Sequence, residues 1–248
     1  MQPTFDEALA AVRQVEGWMT DDQARRLWDR ARALEPGDRI VEIGSFRGRS
    51  AIVLALATTA EVEVVAVDPH AGNDRGPQEL RGMEAEAEED HELFHRNLRA
   101  ADVDERVRHV RRFSDGALDE VDGPVRLLYI DGAHRWRPAA GDMRRWGARV
   151  PEGGVMLIHD SFSSIGVTLA LLTELFSSPH WRYEGRSQSM TQYRRVARMS
   201  ASARLANALR QSAELPWFAR NVLIKVLITV GLGRYTRHLG HPSGDWPY

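Results

Sequence analysis

The 248-residue chain contains no cysteine and only one lysine, Lys225. Without cysteine the protein can form neither disulfide bonds nor thiolate metal sites, so oxygen or imidazole nitrogen must hold any metal. The chain also has little net charge, because 33 basic residues face 35 acidic ones and leave a balance of -2. This balance excludes a general electrostatic attraction to nucleic acid, and we expect no nucleic-acid partner.

The overall composition is that of an ordinary globular protein, with 43% hydrophobic and 27% charged residues. A chain of 248 residues accommodates one α/β domain with additions, built around a single core. The first residues lack the basic and apolar regions of a signal peptide, so we expect a cytoplasmic location.

Two short apolar runs end in acidic residues, and we expect the chemistry at these ends. Residues 127–130 predict a strand buried on both faces of a parallel sheet, followed by Asp131 and His134. Residues 155–158 predict a second such strand, which leads through a histidine into Asp160. Ligands of open α/β sheets bind beyond the carboxyl ends of the strands. If the two strands are neighbours, a spacing of roughly 4.8 Å brings Asp131 and Asp160 within reach of one cation, which indicates metal-assisted group transfer.

A loop with two glycines follows the first predicted strand. Residues 39–43 predict this strand, Gly44 and Gly48 lie in the loop, and residues 51–57 predict a helix. A strand, a glycine turn and a helix N-terminus together form a site for a nucleotide-like ligand or a carboxylate. The loop matches neither the dinucleotide-binding motif nor the phosphate loop, so a purely structural turn is the alternative.

An acid ends the second predicted strand, at residues 63–68. Asp68 lies 26 positions after Glu42, the acid within the first strand. In nucleotide-binding α/β proteins an acid at this point contacts the hydroxyls of a ribose. We favour that role for Asp68 over that of a solvated acid at a strand end.

The other segments complete an alternating α/β pattern. Helical spacing occurs at residues 5–15, 21–34, 138–150 and 165–176, and strand patterns occur at 106–112, 180–186 and 190–196. We expect the last two strands to pair antiparallel. The polar segment 70–89 is interpreted as a mobile substrate lid, and its acidic run as a solvated helix face rather than a metal site. The two N-terminal helices either cover one sheet edge or help to close the active site.

The apolar segment 215–231 near the C-terminus is interrupted by Arg220 and Lys225. It is shorter than the ~20 apolar residues that a membrane span needs. We expect a helix that packs on the domain or on a second subunit, and therefore a homodimer. Contact with a membrane interface is the alternative.

Four segments together resemble the class I S-adenosylmethionine-dependent methyltransferases. They are Val41-Glu42-Ile43-Gly44-Ser45-Phe46-Arg47-Gly48-Arg49-Ser50, Val67-Asp68, Ile130-Asp131-Gly132-Ala133-His134 and Ile158-His159-Asp160-Ser161. The Asp-Gly-x-His and His-Asp-Ser segments are similar to those of metal-dependent small-molecule O-methyltransferases related to macrolide-sugar and catechol enzymes. The resemblance covers roughly residues 17–196.

The resemblance implies a Rossmann-like α/β fold with a seven-stranded, mostly parallel sheet, helices on both faces, and strands four and five adjacent at its centre. We expect N-terminal cap helices at residues 1–35 and a cofactor-binding core at 36–198, with a lid insertion at about 70–92. A C-terminal helical tail is expected at residues 199–248.

The resemblance also implies roles for individual residues. The implied cofactor-binding residues are Glu42, Gly44, Ser45, Gly48, Ser50, Asp68, Ser114, Asp115 and Asp131. Of these, Asp68 would contact the ribose, Ser114 and Asp115 the adenine side, and Glu42, Gly44, Ser45 and Ser50 the amino-acid end of the cofactor. Asp131 and Asp160 would bind one magnesium ion.

Asp131 and His134 are the expected catalytic residues. His134 falls where catechol-type enzymes place a catalytic lysine, and a neutral imidazole, with a pKa of about 6.5, can accept the proton of an alcohol. Ser161 replaces the asparagine of the catechol pattern, which leaves the third protein oxygen ligand unassigned. We expect His159 to orient its neighbours, because magnesium prefers oxygen.

The predicted activity is magnesium-dependent transfer of a methyl group from S-adenosylmethionine to a sugar hydroxyl. The acceptor would be a glycosylated natural product or a polysaccharide such as a methylated mannose polymer. Trp18 and Trp136 either form aromatic walls for this acceptor or pack in the core. Two other functions stay open: a metal-dependent hydroxylase-like enzyme on the same fold, and a non-enzymatic cofactor-binding scaffold that docks through its apolar tail.

Overall fold

The computed structural model describes residues 2–72 and 82–241. Its helices are α1 (Phe5–Ala11), α2 (Asp21–Arg32), α3 (Arg49–Ala57), α4 (Glu84–Ala100), α5 (Trp136–Arg145), α6 (Ile165–Glu174), α7 (Ala201–Ser212) and α8 (Leu215–Thr229). Its strands are β1 (Arg39–Ile43), β2 (Glu63–Val67), β3 (Val107–Val110), β4 (Leu127–Ile130), β5 (Val155–Ile158), β6 (Trp181–Ser187) and β7 (Met190–Arg195). Short 3-10 turns follow several of these elements.

The described strands form one seven-stranded sheet in the order β3-β2-β1-β4-β5-β7-β6. The first five are parallel, β7 runs antiparallel to β5, and β6 runs antiparallel to β7. Ile130 of β4 pairs with Ile158 of β5, so the residues that follow these two strands leave the sheet side by side. The predicted Rossmann-like class, the seven strands and the adjacency of strands four and five are confirmed.

The central strands are apolar throughout because both faces of the sheet are covered. All residues of β4 are buried, and successive residues contribute to opposite cores. Tyr129 belongs to the core beneath α1 to α4, whereas Leu128 belongs to the core beneath α5 and α6. A central strand such as β4, buried on both faces, therefore requires apolar residues throughout instead of an alternation of apolar and polar residues.

The N-terminal helices begin where hydroxyl side chains cap them. The Thr20 hydroxyl accepts from the backbone N–H of Gln23 at 3.3 Å, and Gln23 Oε1 accepts from the backbone N–H of Thr20 at 2.8 Å. This reciprocal capping box supplies partners for two N–H groups that have none within the helix. The helix predicted from residue 21 therefore begins there, with Thr20 as its N-cap.

Helix ends differ from the predicted ranges, and α1 ends at Ala11 instead of residue 15. The helix predicted at residues 138–150 begins earlier, at Trp136, because Pro138 is tolerated in a first turn whose N–H groups need no intrahelical partner. It ends at Arg145, and a 3-10 turn over Gly147–Arg149 completes the predicted segment. The predicted lid segment is already helical from Glu84, and residues 73–81 lie outside the described residues.

The acidic run of that segment is mostly a solvated helix face, as predicted. Glu84, Glu86 and Glu88 are exposed on α4. Asp90 is the exception: it is 4% exposed and accepts a hydrogen bond from Arg47 Nε at 2.8 Å. This contact ties α4 to the loop after β1.

The C-terminal tail packs on the antiparallel edge of the sheet. Asn207 of α7 accepts from the backbone N–H of Tyr183 at 2.8 Å and donates to the Trp181 carbonyl at 3.0 Å, so it covers part of the outer strand β6. The predicted apolar helix is α8, which leaves Leu223 and Val226 exposed. None of the helices in the described part of the chain combines the length and apolarity needed to cross a membrane.

Candidate functional site

Three potential ligand groups meet beyond the carboxyl ends of β4 and β5. Asp131, His159 and Asp160, here called the acidic cluster, each place one ligand atom within 4.8 Å of the others. His159 and Asp160 are buried, whereas Asp131 is half-buried. The proximity of the two acids that was predicted from adjacent strands is therefore present.

Histidines neutralise both carboxylates of the acidic cluster. His159 Nδ1 lies 3.1 Å from Asp131 Oδ1, and His134 Nε2 lies 2.5 Å from Asp160 Oδ2. His134 thus contacts the second acid of the cluster, although it follows the first in sequence. Its Nδ1 is buried and has no hydrogen-bond partner among the described residues.

These pairs shift the protonation of all three groups. Burial alone would lower the pKa of His159, but the charges of Asp131 and Asp160 raise it well above its usual value. Burial likewise opposes the charge on His134, yet its hydrogen bond with Asp160 and the nearby carboxylate charges raise its pKa. Burial would raise the pKa of Asp160, whereas the two histidines lower it strongly. In the absence of a cation, the two carboxylates therefore favour proton binding by the histidines beside them.

Neighbouring elements orient the cluster. The Tyr129 hydroxyl donates to Asp131 Oδ2 at 2.7 Å, and burial raises the pKa of that phenol further above its usual value. Gln23 Oε1 lies 3.4 Å from His159 Nε2, so α2 reaches the back of the cluster. The N-terminal helices thus contact the site and do more than cover an edge. Gln23 is fully buried and serves both the cap of α2 and the acidic cluster.

The turn after β5 has an unusual backbone and is held by the tail. Asp160 and Phe162 adopt left-handed φ angles of 55° and 57°, which cost energy in non-glycine residues. The buried Asn221 of α8 donates to the Phe162 carbonyl at 3.2 Å, and Lys225 donates to the Ser163 carbonyl at 3.0 Å. The C-terminal tail therefore contributes to the geometry of Asp160.

The glycine loop lies against the acidic cluster. Gly44 has a φ of 85°, and a Cβ atom there would lie 2.3 Å from the Asp131 carbonyl oxygen. Only glycine fits a backbone position that is both left-handed and this close to another strand end. Gly48, with a φ of 86°, is the N-cap of α3. The loop and Asp131 therefore form adjoining walls of one site.

Glu42 is fully buried beneath this loop. It accepts from the Ser45 hydroxyl at 2.7 Å and from the Ser50 hydroxyl. Burial raises the pKa of Glu42 to about 8, although both hydroxyl hydrogen bonds oppose the shift. The carboxyl group is therefore largely neutral at physiological pH unless a cationic group binds beside it.

Asp68 lies on the other side of the loop and shapes its backbone. Its Oδ2 accepts from the N–H groups of Ser45 and Phe46 at 2.8 and 2.9 Å, and its Oδ1 accepts from the N–H of His70 at 2.7 Å. This network was not visible in the sequence, where Asp68 was interpreted as a ribose contact only. A carboxylate has further lone pairs, so both roles are compatible.

The two residues assigned to the adenine side differ in their surroundings. Ser114 Oγ donates to the buried Asp142 at 2.5 Å, and the Ser114 carbonyl accepts from Trp146 Nε1 at 3.0 Å. Asp115 is exposed. Ser114 is thus held by Asp142, which lies on the helix after β4, and by Trp146, which follows that helix.

The two candidate aromatic walls are solvent-exposed, so neither packs in the core. Trp18 is 54% exposed, and its ring centroid lies 5.3 Å from that of Phe46 in the glycine loop. Trp136 is 45% exposed and donates to Thr173 at 3.3 Å. Gly166 lets α6 approach this region, since a Cβ there would lie 2.2 Å from the His134 carbonyl oxygen.

Comparison with known proteins agrees with this arrangement. Residues 41–161 match the family model described as a methyltransferase domain. These residues form a methyltransferase domain. The domain begins in β1 and ends just after β5, so it contains the glycine loop and the whole acidic cluster. The N-terminal helices and the C-terminal tail lie outside the matched residues.

Solved structures similar to this methyltransferase domain and its extensions share the fold. One is the O-methyltransferase TomG from Streptomyces achromogenes in complex with SAM, with 18% identity, a TM-score of 0.55, and coverage of 78% of this chain and 89% of TomG. A second is an O-methyltransferase from Bacillus cereus in complex with SAH, with 15% identity, a TM-score of 0.56, and coverage of 78% and 92%. A third is a SAM-dependent O-methyltransferase from Thermotoga maritima, with 17% identity, a TM-score of 0.54, and coverage of 80% and 73%.

Proposed function

We propose that this protein transfers a methyl group from S-adenosylmethionine to a hydroxyl group of a sugar, with a magnesium ion at the acidic cluster. The close approach of Gly44 to the Asp131 carbonyl supports the proposal, because a methyl donor held by the glycine loop would then lie next to an acceptor held at the acidic cluster. The similar structures that hold SAM or SAH are O-methyltransferases, which supports the donor and the type of acceptor atom.

The residues of the acidic cluster fit a magnesium ion. Asp131 and Asp160 offer carboxylate oxygens, the ligands that magnesium prefers, and one atom of each lies within 4.8 Å of the other. Ser161 supplies no further oxygen, because its hydroxyl donates to the Ile158 carbonyl at 2.9 Å and contacts Thr191. Water or acceptor oxygens would complete the coordination. When bound, the ion would supply charge that orients two acceptor oxygens, lowers the pKa of the acceptor hydroxyl and offsets the carboxylate charge beside His134.

His134 is the proposed proton acceptor. A neutral imidazole with its proton on Nδ1 presents the Nε2 lone pair to the acceptor hydroxyl. After proton uptake, the Nε2–H group donates to Asp160, which is the pairing present in the structure. Asp160 therefore stabilises the protonated product state of the base, and Asp131 holds the acceptor oxygens beside it.

The residues around the glycine loop are proposed to hold the donor, whose sulfonium supplies an electrophilic methyl group. Glu42, Ser45 and Ser50 form a buried polar pocket for its amino-acid end. Asp68 is proposed to contact the ribose, and Ser114 with Asp115 the adenine side. The proposed cofactor-binding core spans residues 36–198. The C-terminal tail, residues 199–248, is proposed to support the turn at Asp160.

A sugar acceptor fits the exposed aromatic side chains near the site. Trp18 and Trp136 are partly exposed, and exposed aromatic rings can stack on the apolar faces of sugar rings. Neighbouring hydroxyls of a sugar also provide the two oxygens that a shared cation would hold. We favour a glycosylated natural product or a methylmannose-type polysaccharide as the acceptor.

The decisive experiment is a calorimetric titration of S-adenosylmethionine, followed by candidate sugars with magnesium and after chelation. We expect saturable donor binding, then acceptor binding that requires magnesium. Absence of donor binding would overturn the proposal. Donor binding without methyl transfer to any acceptor would favour the scaffold, whereas turnover that requires iron and an oxidant would favour the hydroxylase-like alternative.

The variant His134→Ala tests the proposed proton acceptor. It should lower the transfer rate by ~10² to 10⁴ and leave donor affinity nearly unchanged, because His134 acts on the acceptor proton. Wild-type turnover in this variant would remove His134 from the mechanism.

A further inference from the structure

A second group of potential ligands lies at the same sheet edge, away from the acidic cluster. His91 and His95 lie one helical turn apart on α4, and His109 lies on β3. One ring nitrogen of each lies within 4.8 Å of the other two, and all three residues are half-buried. We propose that this histidine cluster is a binding site for a zinc-class divalent transition metal that joins α4 to β3.

The three rings lie close together, beside those of His70 and Phe94. The ring centroids of His91 and His95 are 4.8 Å apart, and each lies 5.3 Å from that of His109. The spacing of four residues places His91 and His95 on one helix face. No hydrogen bond joins one of these three rings to another in the described part of the chain, so an ion at their centre would not have to break such a bond.

Neighbouring groups orient two of the rings as ligands. His109 Nε2 donates to the Asp68 carbonyl at 3.1 Å, so its Nδ1 carries the lone pair. His91 Nδ1 lies 3.2 Å from both Glu88 Oε1 and Arg111 Nη1, and Nε2 is its ligand atom when Nδ1 donates its proton to Glu88. Metal-binding histidines commonly donate their second N–H to a carbonyl or carboxylate in this way. Arg111 holds Glu88 in place at 2.5 Å.

The donor set selects the metal. Three imidazoles suit zinc and its transition-metal neighbours, whereas magnesium and calcium prefer oxygen. Burial lowers the pKa of His109 to about 4, so this ring is neutral at physiological pH. An open groove of about 480 Å³ beside the cluster, lined by Glu88, His91, Glu92, His95, Arg96 and Arg99, gives an ion access from solvent and leaves a fourth ligand position for water or Glu92.

Titration of zinc into untagged full-length protein tests the site. All proteins in this test carry Asp160→Asn, the background substitution, so that the acidic cluster does not contribute to zinc binding. We expect one saturable site. Adding His95→Gln should weaken its affinity by at least about 10²-fold, since loss of an outer partner alone typically costs 10- to 100-fold. The matched control His238→Gln, an exposed histidine on another segment, should bind zinc unchanged.

Two further measurements distinguish loss of zinc binding from loss of folding, and neither depends on methyl transfer. Glu88→Gln changes an exposed residue of α4 and should weaken zinc binding about 10- to 100-fold. The melting temperature of this variant in the presence of a chelator should equal that of the background protein. Cobalt bound to this background should show the visible absorption of a tetrahedral site, lost with His95→Gln. The proposal is overturned if the background protein binds no zinc, or if His95→Gln and Glu88→Gln bind it as tightly as His238→Gln.

Discussion

The acidic cluster and the histidine cluster lie at the same edge of one sheet but differ in donor atoms and burial. Asp131, His159 and Asp160 follow two central strands, and two of them are buried. His91, His95 and His109 lie on a helix and a strand near the sheet margin, and all are half-buried. Their chemistry differs accordingly, because carboxylates suit magnesium and imidazoles suit zinc.

The two clusters also differ in how their charge is balanced when no metal ion is bound. Buried carboxylates need a positive partner, and His134 and His159 supply it at hydrogen-bond distance. At the histidine cluster burial keeps His109 neutral, so this ring needs no counter-ion. A cation must therefore compete with protons at the acidic cluster more than at His109, and this difference can be measured.

The largest effect should follow from Asp160→Asn, which keeps the shape of the side chain and removes its charge. We expect the magnesium-dependent transfer rate to fall about 10² to 10³-fold, because the cation's several kcal/mol of stabilisation are largely lost. Initial rates at saturating donor and graded magnesium measure it, with the exposed Glu152→Gln as the control. A rate within about threefold of wild type would mean that the two clusters do not differ in catalytic importance.

The next effect is the pH dependence of metal binding. The pKa values of His134 and His159 are raised, so both keep their protons to a higher pH than an ordinary histidine and lose them as the pH rises further. Apparent magnesium affinity should therefore increase with pH, by about tenfold per pH unit for each proton displaced. Zinc binding at the histidine cluster should displace no proton from His109 near neutral pH, since the pKa of that ring is about 4.

Calorimetry in buffers of different ionisation enthalpy counts the protons released in each case. Equal proton release at the two clusters would contradict the difference drawn between them.

Glu42 sharpens the comparison, because it is a buried acid with hydroxyl partners instead of histidines. Its pKa is about 8 in the folded protein against 4.5 as a reference, so the folded state holds an extra proton between these values. Stability should be greatest below the lower value and be lost as the pH rises toward 8, by about 1.4 kcal/mol per pH unit. Glu42→Gln is neutral throughout and should lack this loss.

Urea unfolding of the cofactor-free protein at several pH values measures the difference between wild type and Glu42→Gln. The advantage of the variant should grow with pH. Parallel stability curves would show that Glu42 does not carry an extra proton in the folded state.

The smallest effect concerns the tail behind the acidic cluster. Asn221→Ala leaves the buried Phe162 carbonyl without its side-chain donor and should cost about 1–3 kcal/mol of stability. Transfer should fall several-fold, because the left-handed turn that carries Asp160 is less firmly held. The control Leu223→Ala changes an exposed residue of the same helix and should stay within about 0.5 kcal/mol of wild type. Equal behaviour of the two variants would exclude a positioning role for the tail.

Much of the fold could be predicted because its signals are local. The apolar runs of β4 and β5, the glycines of the loop and the cap at Thr20 each specify their own conformation. The order of the central strands followed from the resemblance of their motifs to methyltransferases. Helix ends were less exact, as at Trp136, because tolerance of a proline in the first turn leaves no sharp signal.

The histidine cluster was missed although half of its signal is local. His91 and His95 are four residues apart in a segment whose helical pattern was recognised, and that spacing places both on one face. The acidic residues around them drew the interpretation toward a solvated surface. His109 belongs to a strand that the sequence places 14 residues beyond His95, and nothing local indicates that the three rings meet.

The sequence by itself determined the element types, the absence of thiol chemistry and the acids that end the central strands, since composition and periodicity act over a few residues. The tertiary structure alone decided which partners those acids take. It brought His134 to Asp160, Gln23 to His159 and Asn221 to the turn at Phe162. These contacts join residues remote in the chain, and their existence depends on how helices pack across the sheet rather than on any local pattern.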